Sequence, residues 1–423
     1  MLTAVVGINW GDEGKGRMVD LLSGGYEIIC RYQGGNNAGH TVVNDRGRFI
    51  LNLLPSGILR EGVVNIMGGG MVIDLEHLCG ELESLAAKGV SVTPENLKIS
   101  GNAFICLPYH RVQDILEEDR LADKKYGSTR RGIAPVYGDK YMKKGMRMGD
   151  LLDTGSIAQK IGDILQWKNL TLKAYGSDAA DLTETLRWLD EFGSRLRPYI
   201  IDTTEYLSAA VREGRNIMFE AQLGALRDVD YGIYPYTTSS HTLASYATTG
   251  AGIPGVRTDH VFGVMKAYSS CVGEGPFTAE MSGSEAEALR EAGSEYGAAT
   301  GRPRRVGGFD VVASRYGVQV QGADEIALTK LDVLSYMEKI PVCVAYKIGD
   351  EITDRFPSGD KLALAQPVYE YLDGFKADIS KCRKPEDLPS AAVKYVKFIE
   401  KAIGRHIKYV SVGAGREDYL EMQ

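Results

Sequence analysis

A glycine-rich turn directly after an apolar strand constrains this chain more than any other feature. The apolar run that ends at Val6 leads into residues 7–17, where glycines surround Lys15 and two acids, and an amphipathic segment follows at residues 18–22. A strand, a glycine loop and a helix in this order point backbone N–H groups and a helix N-terminus at a phosphate chain. The sequence therefore predicts a phosphate-binding loop.

The loop departs from the standard Walker A motif. That motif needs a glycine where Asn9 stands and a serine or threonine where Gly16 stands. Because the missing hydroxyl would normally bind Mg²⁺, a carboxylate of the loop, Asp12 or Glu13, must hold the metal ion or carry out proton chemistry. A purely structural turn is disfavoured, since a lysine, acids and three glycines coincide.

Composition excludes several classes of protein. The 423 residues carry a formal net charge of −7, which argues against nucleic acid as the main partner. No apolar run approaches the length of a membrane span, so no membrane partner is expected. Six cysteines are scattered without metal-ligand spacing, which favours reduced thiols and a cytoplasmic location.

The pattern of apolar residues predicts an α/β fold. Strand-like runs alternate with segments of helical period such as residues 75–87, 112–123, 157–167 and 391–403. The runs occupy residues 27–31, 63–68, 97–101, 217–220, 260–267, 325–328, 341–346 and 406–412. We expect a large, mostly parallel central sheet flanked by helices, with smaller accessory subdomains and long active-site loops. No linker divides the chain, so a single domain is predicted over residues 1–423.

Four long stretches are neither periodic nor apolar: residues 34–52, 124–149, 224–240 and 273–307. Loops of this length are usually functional or mobile. In the first stretch, His40 follows small residues that allow a ligand close to the backbone, and its imidazole could polarise or protonate an oxyanion. A histidine that only satisfies a loop carbonyl is an equally good interpretation of this segment alone.

Two other segments suggest ligand recognition. Lys330 and Asp332 lie at the end of a predicted strand, where open α/β sheets bind ligands, and an aspartate there can accept both N1–H and N2–H₂ of guanine. Taken with the phosphate loop, this pair indicates GTP. Arg302, Arg304 and Arg305 end a loop bracketed by Gly and Pro, and their planar guanidinium groups predict recognition of a small dicarboxylate or of phosphates.

These motifs together resemble the adenylosuccinate synthetase family. Residues 10–16, 34–41, 55–58, 234–240, 301–305 and 329–332 have the order and spacing of that family, and the resemblance covers essentially the whole chain. It implies an α/β ligase that joins IMP to L-aspartate with GTP as co-substrate and one Mg²⁺ per subunit, giving adenylosuccinate, GDP and phosphate. It also implies a homodimer in which a residue crosses the interface.

The resemblance assigns roles to residues of this chain. Asp12 would be the base that removes the IMP N1 proton, His40 the acid, and Lys15 the balancing charge, while Asp12 and the Gly39 carbonyl would bind Mg²⁺. The expected GTP contacts are Gly11, Asp12, Glu13, Gly14, Lys15, Gly16, Arg17, Gly39, His40, Thr41, Arg304, Lys330, Leu331, Asp332, Ser411, Val412 and Gly413. The expected IMP contacts are Asp12, Glu13, Gly14, Lys15, Asn37, Ala38, Gly39, His40, Thr129, Lys143, Gln222, Leu223, Thr238 and Arg302. L-Aspartate would contact Val272, Ala298, Ala299, Thr300, Gly301, Arg302, Pro303 and Arg304.

The chain departs from the family pattern at the acceptor and amine-donor residues. The expected IMP-contacting glutamine aligns with Leu223 and Gln222 stands one position early, while the arginine expected to cross the dimer interface is Lys143. Family residues are also replaced at Arg130, Ala299 and Cys271. Two alternatives therefore stay open: a related ligase that uses another purine nucleotide or amino acid, and a GTP-binding regulatory protein without catalytic activity.

Overall fold

The computed structural model describes residues 1–44, 47–297, 301 and 303–423. Its strands, in chain order, are β1 (Leu2–Gly7), β2 (Ile28–Arg31), β3 (His40–Asn44), β4 (Gly47–Leu51), β5 (Val64–Met67), β6 (Val72–Ile73), β7 (Leu97–Ser100), β8 (Phe104–Ile105), β9 (Ile200–Ile201), β10 (Ile217–Glu220), β11 (His260–Lys266), β12 (Ser269–Cys271), β13 (Arg305–Gly307), β14 (Phe309–Asp310), β15 (Glu325–Thr329), β16 (Lys339–Ile348), β17 (Glu351–Thr353), β18 (Gln366–Asp373), β19 (His406–Ser411) and β20 (Tyr419–Glu421).

The helices, in chain order, are α1 (Lys15–Leu22), α2 (Leu75–Ala87), α3 (Pro108–Leu121), α4 (Ile133–Tyr141), α5 (Ile157–Ala174), α6 (Leu182–Trp188), α7 (Ser194–Leu196), α8 (Thr203–Arg212), α9 (Ala247–Ala251), α10 (Gly283–Ala292), α11 (Val311–Gln321), α12 (Asp360–Ala363) and α13 (Ser390–Ile403). None of these helices combines the length and the apolar character needed to cross a membrane.

Ten strands form one central sheet in the order β20-β19-β15-β11-β1-β10-β2-β5-β7-β9. All neighbouring pairs are parallel except β19 and β20, which confirms the predicted mostly parallel α/β fold. Every residue of β1 is buried, as both faces of such a sheet are covered. The carboxyl ends of β10, β1, β11 and β15 therefore lie side by side at one edge.

Smaller sheets surround the central one. Strand β16 pairs with β14 in parallel and with β17 and β18 in antiparallel fashion, so the apolar run at residues 341–346 lies outside the central sheet. The hairpins β3–β4 and β12–β13 are two-stranded and antiparallel. These pieces correspond to the accessory parts expected beside the main sheet.

Two of the stretches predicted to be irregular contain helices, and the prediction was wrong there. Helix α10 buries only Ala286 and Leu289, so its apolar stripe is too narrow to give a clear helical period. Helix α4 has nine residues and includes Pro135 and Gly138, which weaken the helical pattern in the sequence.

The apolar interior contains two large clusters among the described residues. One packs the central strands against α11 and α13 and includes Val6, Phe219 and Val396. The other packs β7 against α2 and α5 and includes Leu78 and Ile161. The loops at the carboxyl edge of the sheet therefore start from a rigid base.

Candidate active site

The glycine loop separates the roles of its two acids. Its backbone is left-handed at Gly11, Asp12 and Gly14, and helix α1 begins at Lys15. The buried Glu13 carboxylate turns inward, where it accepts N–H bonds from Asn9 at 3.1 Å and Gly11 at 2.8 Å, and Lys15 Nζ lies 2.6 Å away. The Asp12 side chain is 28% exposed, so Asp12 is the loop carboxylate available to a ligand.

His40 explains why glycine stands at position 16. A Cβ atom added to Gly16 would lie 2.8 Å from the Cβ of His40 and 3.1 Å from Ser56 Oγ, so no serine or threonine fits. The histidine therefore occupies the space next to Lys15 where a Walker A hydroxyl would lie. The first turn of α1 and the start of β3 are packed together by this contact.

A buried carboxylate holds His40 in place. His40 Nδ1 lies 2.7 Å from Oε1 of Glu220, and the Glu220 carboxylate also accepts bonds from Ser56 N at 2.7 Å and Ser56 Oγ at 2.6 Å. Burial lowers the pKa of His40, and the Glu220 carboxylate opposes that shift. Burial raises the pKa of Glu220, but the hydrogen bond and charge of His40, with Arg31, outweigh it and leave that pKa lowered. Glu220 therefore favours the imidazolium form of His40.

The shifted glutamine lies against the segment that carries Asn37. Gln222 Nε2 donates to the Gly35 carbonyl and to Asn37 Oδ1, both at 3.1 Å, while its Oε1 is buried without a hydrogen-bond partner among the described residues. Leu223 has a left-handed backbone with φ 61°, and its side chain packs against Gly11 instead. Gln222, rather than Leu223, therefore presents a polar group to the expected IMP segment.

The Thr238 segment is ordered by Asp228. The Asp228 carboxylate accepts N–H bonds from Asp230 at 3.0 Å, Tyr231 at 3.1 Å and Thr242 at 2.6 Å. Thr238 is buried, and its Oγ1 has no hydrogen-bond partner in the described part of the chain. An unpaired buried hydroxyl of this kind is typical of a ligand-binding position.

Arg304 connects the loop at residues 293–305, called here the arginine loop, to the glycine loop. Its Nη2 lies 3.0 Å from Asp12 Oδ2, and its Nη1 donates to Glu295 at 2.8 Å. The expected aspartate-binding residues Ala298, Ala299, Thr300 and Arg302 lie outside the described residues. Val272 is 47% exposed, and the neighbouring Cys271 is buried with its Sγ 2.9 Å from Arg227 Nη2.

The expected guanine pocket lies at the end of β15. Lys330 has a left-handed backbone, and Asp332 Oδ1 is buried with no hydrogen-bond partner among the described residues. Burial raises the pKa of Asp332, and the charges of Arg17 and Lys330 oppose this shift. Arg17 donates to Ser411 Oγ at 3.1 Å and its guanidinium lies 4.3 Å from the centre of the Tyr419 ring, so α1 is attached to the segment that follows β19.

Two expected IMP contacts have no polar side-chain contact with this cluster among the described residues. Thr129 and Lys143 are exposed, and none of the described residues forms a hydrogen bond or ion pair with the side chain of either. Lys143 follows α4 with a left-handed backbone of φ 62°. Arg130, which directly follows Thr129, also has a left-handed backbone and pairs with Asp119 at 2.7 Å. Thr129 and Lys143 therefore differ from the other expected residues described above, because no polar contact of the single chain connects them to the site.

Sequence reasoning missed three buried charged residues of the site. Glu220 and Lys266 are the last residues of β10 and β11, and a charged residue at the end of an apolar strand was the available signal. Burial lowers the pKa of Lys266 to about 8, although the neighbouring Glu295 carboxylate opposes the shift. Glu295 lies in a loop, and the sequence around it carries no signal of burial.

Comparison with known proteins agrees with this geometry. The family model described as adenylosuccinate synthetase matches residues 4–420. Curated relatives of that name from Caldanaerobacter subterraneus subsp. tengcongensis and Frankia alni are each 44% identical, over 100% and 98% of this chain and 99% and 97% of their own lengths. The structure of a fully ligated adenylosuccinate synthetase from Plasmodium falciparum matches with a TM-score of 0.94 and 34% identity, covering 100% of this chain and 99% of that one.

The fold and the site together are those of an α/β nucleotide-binding protein with a glycine loop at the carboxyl edge of a parallel sheet. Its loop carries a carboxylate, a lysine and an adjacent histidine in place of the Walker A hydroxyl. The chain belongs to the adenylosuccinate synthetase family.

Proposed function

We propose that the protein joins IMP to L-aspartate at the cost of GTP, forming adenylosuccinate, GDP and phosphate. The observation that carries this proposal is the convergence on one loop: Asp12 contacts Arg304, and Gly16 packs against His40. This arrangement supports the roles of Asp12 as base, His40 as acid and Arg304 as a carboxylate-binding residue around a phosphate-binding loop. Membership of the family supports the same reaction.

The reaction proceeds in two chemical steps. The Asp12 carboxylate takes the N1 proton of IMP, and the resulting O6 anion attacks the γ-phosphorus of GTP, so that the bond to GDP breaks and 6-phosphoryl-IMP forms. Lys15 and His40 stabilise charge on the transferred group, which suits phosphoryl transfer because that reaction depends mainly on positioning and electrostatics. The amine of L-aspartate then attacks C6 and phosphate leaves with the former O6 atom.

Magnesium fits this loop by the chemistry of its donors. The Asp12 carboxylate and the Gly39 carbonyl are hard oxygen ligands, and Mg²⁺ is commonly held by one or two such protein groups together with substrate phosphates. The bound ion would neutralise charge on the phosphates of GTP. Gly39 directly precedes His40, so the ion would lie between the glycine loop and the start of β3.

Each substrate has a proposed set of residues. Gln222, Asn37 and Thr238 offer polar atoms to IMP, Asp332 accepts from guanine, and Arg304 with the loop that it ends binds the carboxylates of L-aspartate. Oxygens of Gln222, Thr238 and Asp332 are buried and have no hydrogen-bond partner among the described residues, which supports these assignments because buried polar atoms are normally paired. The six cysteines are all free, in agreement with the proposed cytoplasmic location.

A homodimer is part of the proposal. The side chain of Lys143 is exposed and follows Tyr141 and Met142, which are 65% and 53% exposed. Large exposed apolar side chains beside a lysine that has no ion-pair partner in the described part of the chain support a subunit contact at this position. Lys143 would then reach the IMP phosphate bound by the partner subunit.

Oxygen transfer from IMP tests the reaction. With IMP labelled by ¹⁸O at C6, each phosphate released should carry one labelled oxygen, because O6 leaves C6 with the phosphoryl group. Adenylosuccinate formed together with unlabelled phosphate would exclude the 6-phosphoryl intermediate but leave the ligation in place. Absence of adenylosuccinate would contradict the proposed function itself.

A further inference from the structure

A single buried carboxylate connects three parts of the site. Glu295 is fully buried, and its carboxylate accepts from Lys266 Nζ at 2.8 and 3.0 Å, Lys330 Nζ at 2.8 Å and Arg304 Nη1 at 2.8 Å. The hydroxyl of Tyr268 donates to the same carboxylate. Lys266 ends β11, Lys330 follows β15 and Arg304 precedes β13, so one anion links three elements at the carboxyl edge of the sheet.

Glu295 and Arg304 also form the base of the arginine loop through their main chains. The Arg304 N–H donates to the Glu295 carbonyl at 2.9 Å, and the next residues inward, Tyr296 and Pro303, form an antiparallel bridge. Glu295 N–H in turn donates to the Arg290 carbonyl at 2.8 Å. We call Glu295 and Arg304 the loop base, because residues 296–303 begin and end there.

The charges at the loop base depend on Glu295. Lys266, Lys330 and Arg304 are three cations gathered around this carboxylate, and in the described part of the chain Asp12 is a second anion that contacts Arg304. Cations held this close repel one another, and an anion between them offsets that repulsion. Among the residues that the structure describes, loss of the Glu295 carboxylate would leave Arg304 paired with Asp12, and Lys330 bonded to the Gly293 carbonyl at 2.6 Å.

We propose that Glu295 is a positioning residue that fixes Arg304 for the amino-acid carboxylate and Lys330 for the guanine pocket. Arg304 keeps one nitrogen on Glu295 while its other nitrogen is exchanged between Asp12 and the incoming carboxylate. The proposal rests on the proposed function, since it assigns Arg304 to L-aspartate. It predicts that KM for L-aspartate and KM for GTP depend on Glu295 and that KM for IMP does not.

Glu295→Gln tests this directly, because glutamine keeps the shape and removes the charge. We expect KM for L-aspartate to rise about tenfold or more and KM for GTP to rise severalfold, with KM for IMP within about twofold of wild type. The matched control is Glu291→Gln, which changes an exposed glutamate of α10 and should leave all three values unchanged. Activity of the wild type and of this control establishes the proposed function independently of Glu295.

A second variant separates positioning from stability. In Glu295→Gln/Lys266→Met the uncompensated buried lysine is removed as well, so the thermal midpoint should return towards that of Lys266→Met alone. If Glu295 positions Arg304, KM for L-aspartate stays raised in this double variant. Recovery of that KM together with the thermal midpoint would overturn the proposal, as would a folded Glu295→Gln protein with unchanged KM for L-aspartate.

Discussion

Neighbouring residues of similar charge have different roles in this site. Glu13 is buried and bonds to the loop backbone and to Lys15, whereas Asp12 is partly exposed and forms an ion pair with Arg304. The sequence could not separate the two acids, because both lie in the same glycine loop. Their difference comes from a left-handed backbone at Asp12, which turns its side chain away from the loop interior.

Asp12→Asn should abolish the first chemical step while leaving GTP binding largely intact. The amide cannot take the N1 proton, and a general base commonly contributes about 10²- to 10⁴-fold to rate. The measurement is a single-turnover assay of phosphoryl transfer to IMP, run at several Mg²⁺ concentrations so that weaker metal binding is recognised. A single-turnover rate near that of wild type would exclude the base role.

Glu220→Gln should lower kcat and shift its pH dependence. The Glu220 carboxylate raises the pKa of His40 against the effect of burial, so its removal lowers that pKa further. If protonated His40 is the acid, activity declines as pH rises through this pKa, and the decline should start at lower pH in the variant. A pH profile with the wild-type midpoint would show that Glu220 does not act through His40.

Asp332→Ala should raise KM for GTP and relax the preference for guanine. The change removes charge-assisted hydrogen bonds worth roughly 1.5–3 kcal/mol each, or about 10- to 100-fold in affinity. The comparison is kcat/KM with GTP, ITP and ATP, with Asp350→Ala in the exposed turn after β16 as control. An unchanged ratio of GTP to ATP would remove the guanine-pocket assignment.

At the scale of elements, packing decides which segments can be predicted from the sequence. Helix α2 begins and ends at the predicted residues because its apolar period is clear and Asp74 caps it through the His77 N–H. The ion pairs of Glu220 with His40 and Glu295 with Lys330 join residues 180 and 35 positions apart, so only the folded chain reveals them.

Helices α3, α4 and α5 meet at a buried ionic cluster that gives a pH prediction. His110 Nε2 lies 3.0 Å from Asp139, which also pairs with Lys168 at 2.7 Å. Burial lowers the pKa of His110, and Asp139 opposes this shift. As pH falls below about 6.5, the His110 imidazole is therefore protonated in the unfolded chain before it is protonated in the folded protein. Stability contributed by neutral His110 is therefore present above that pH and is lost as pH falls through the folded pKa.

His110→Gln should make the thermal midpoint less sensitive to acid. The variant is expected to be less stable than wild type at pH 7.5, because a buried hydrogen bond is disturbed, and the difference should shrink by pH 5.5. Thermal unfolding across this range measures it, with His406→Gln, whose ring is 40% exposed, as control. A difference that stays constant with pH would contradict this account of the cluster.

At the scale of the whole molecule, Lys143 would contribute to an active site through the subunit interface. Its side chain is exposed and forms no hydrogen bond or ion pair with any residue that the structure describes. The expectation that Lys143 crosses the subunit interface came only from the family resemblance, because no local sequence pattern indicates which surface a second copy of the chain covers. If Lys143 acts across a dimer, each active site contains residues from two chains.

Mixing two variants, one inactive and one impaired at low IMP, tests that arrangement. Lys143→Ala should raise KM for IMP far more than KM for GTP, and Asp12→Asn should be inactive. In a mixed dimer one site then has an intact Asp12 and the partner's intact lysine, so about a quarter of wild-type activity should return after subunit exchange at low IMP. No gain in activity on mixing, once sedimentation confirms mixed dimers, would mean that Lys143 acts within its own chain.

The most direct test of the account is product formation by the purified wild-type protein with GTP and Mg²⁺. The absorbance change of adenylosuccinate should appear only when IMP and L-aspartate are both present, with equal amounts of phosphate released, and ATP should support it poorly. Turnover with another purine nucleotide or amine, but none with IMP and L-aspartate, would contradict the assignment.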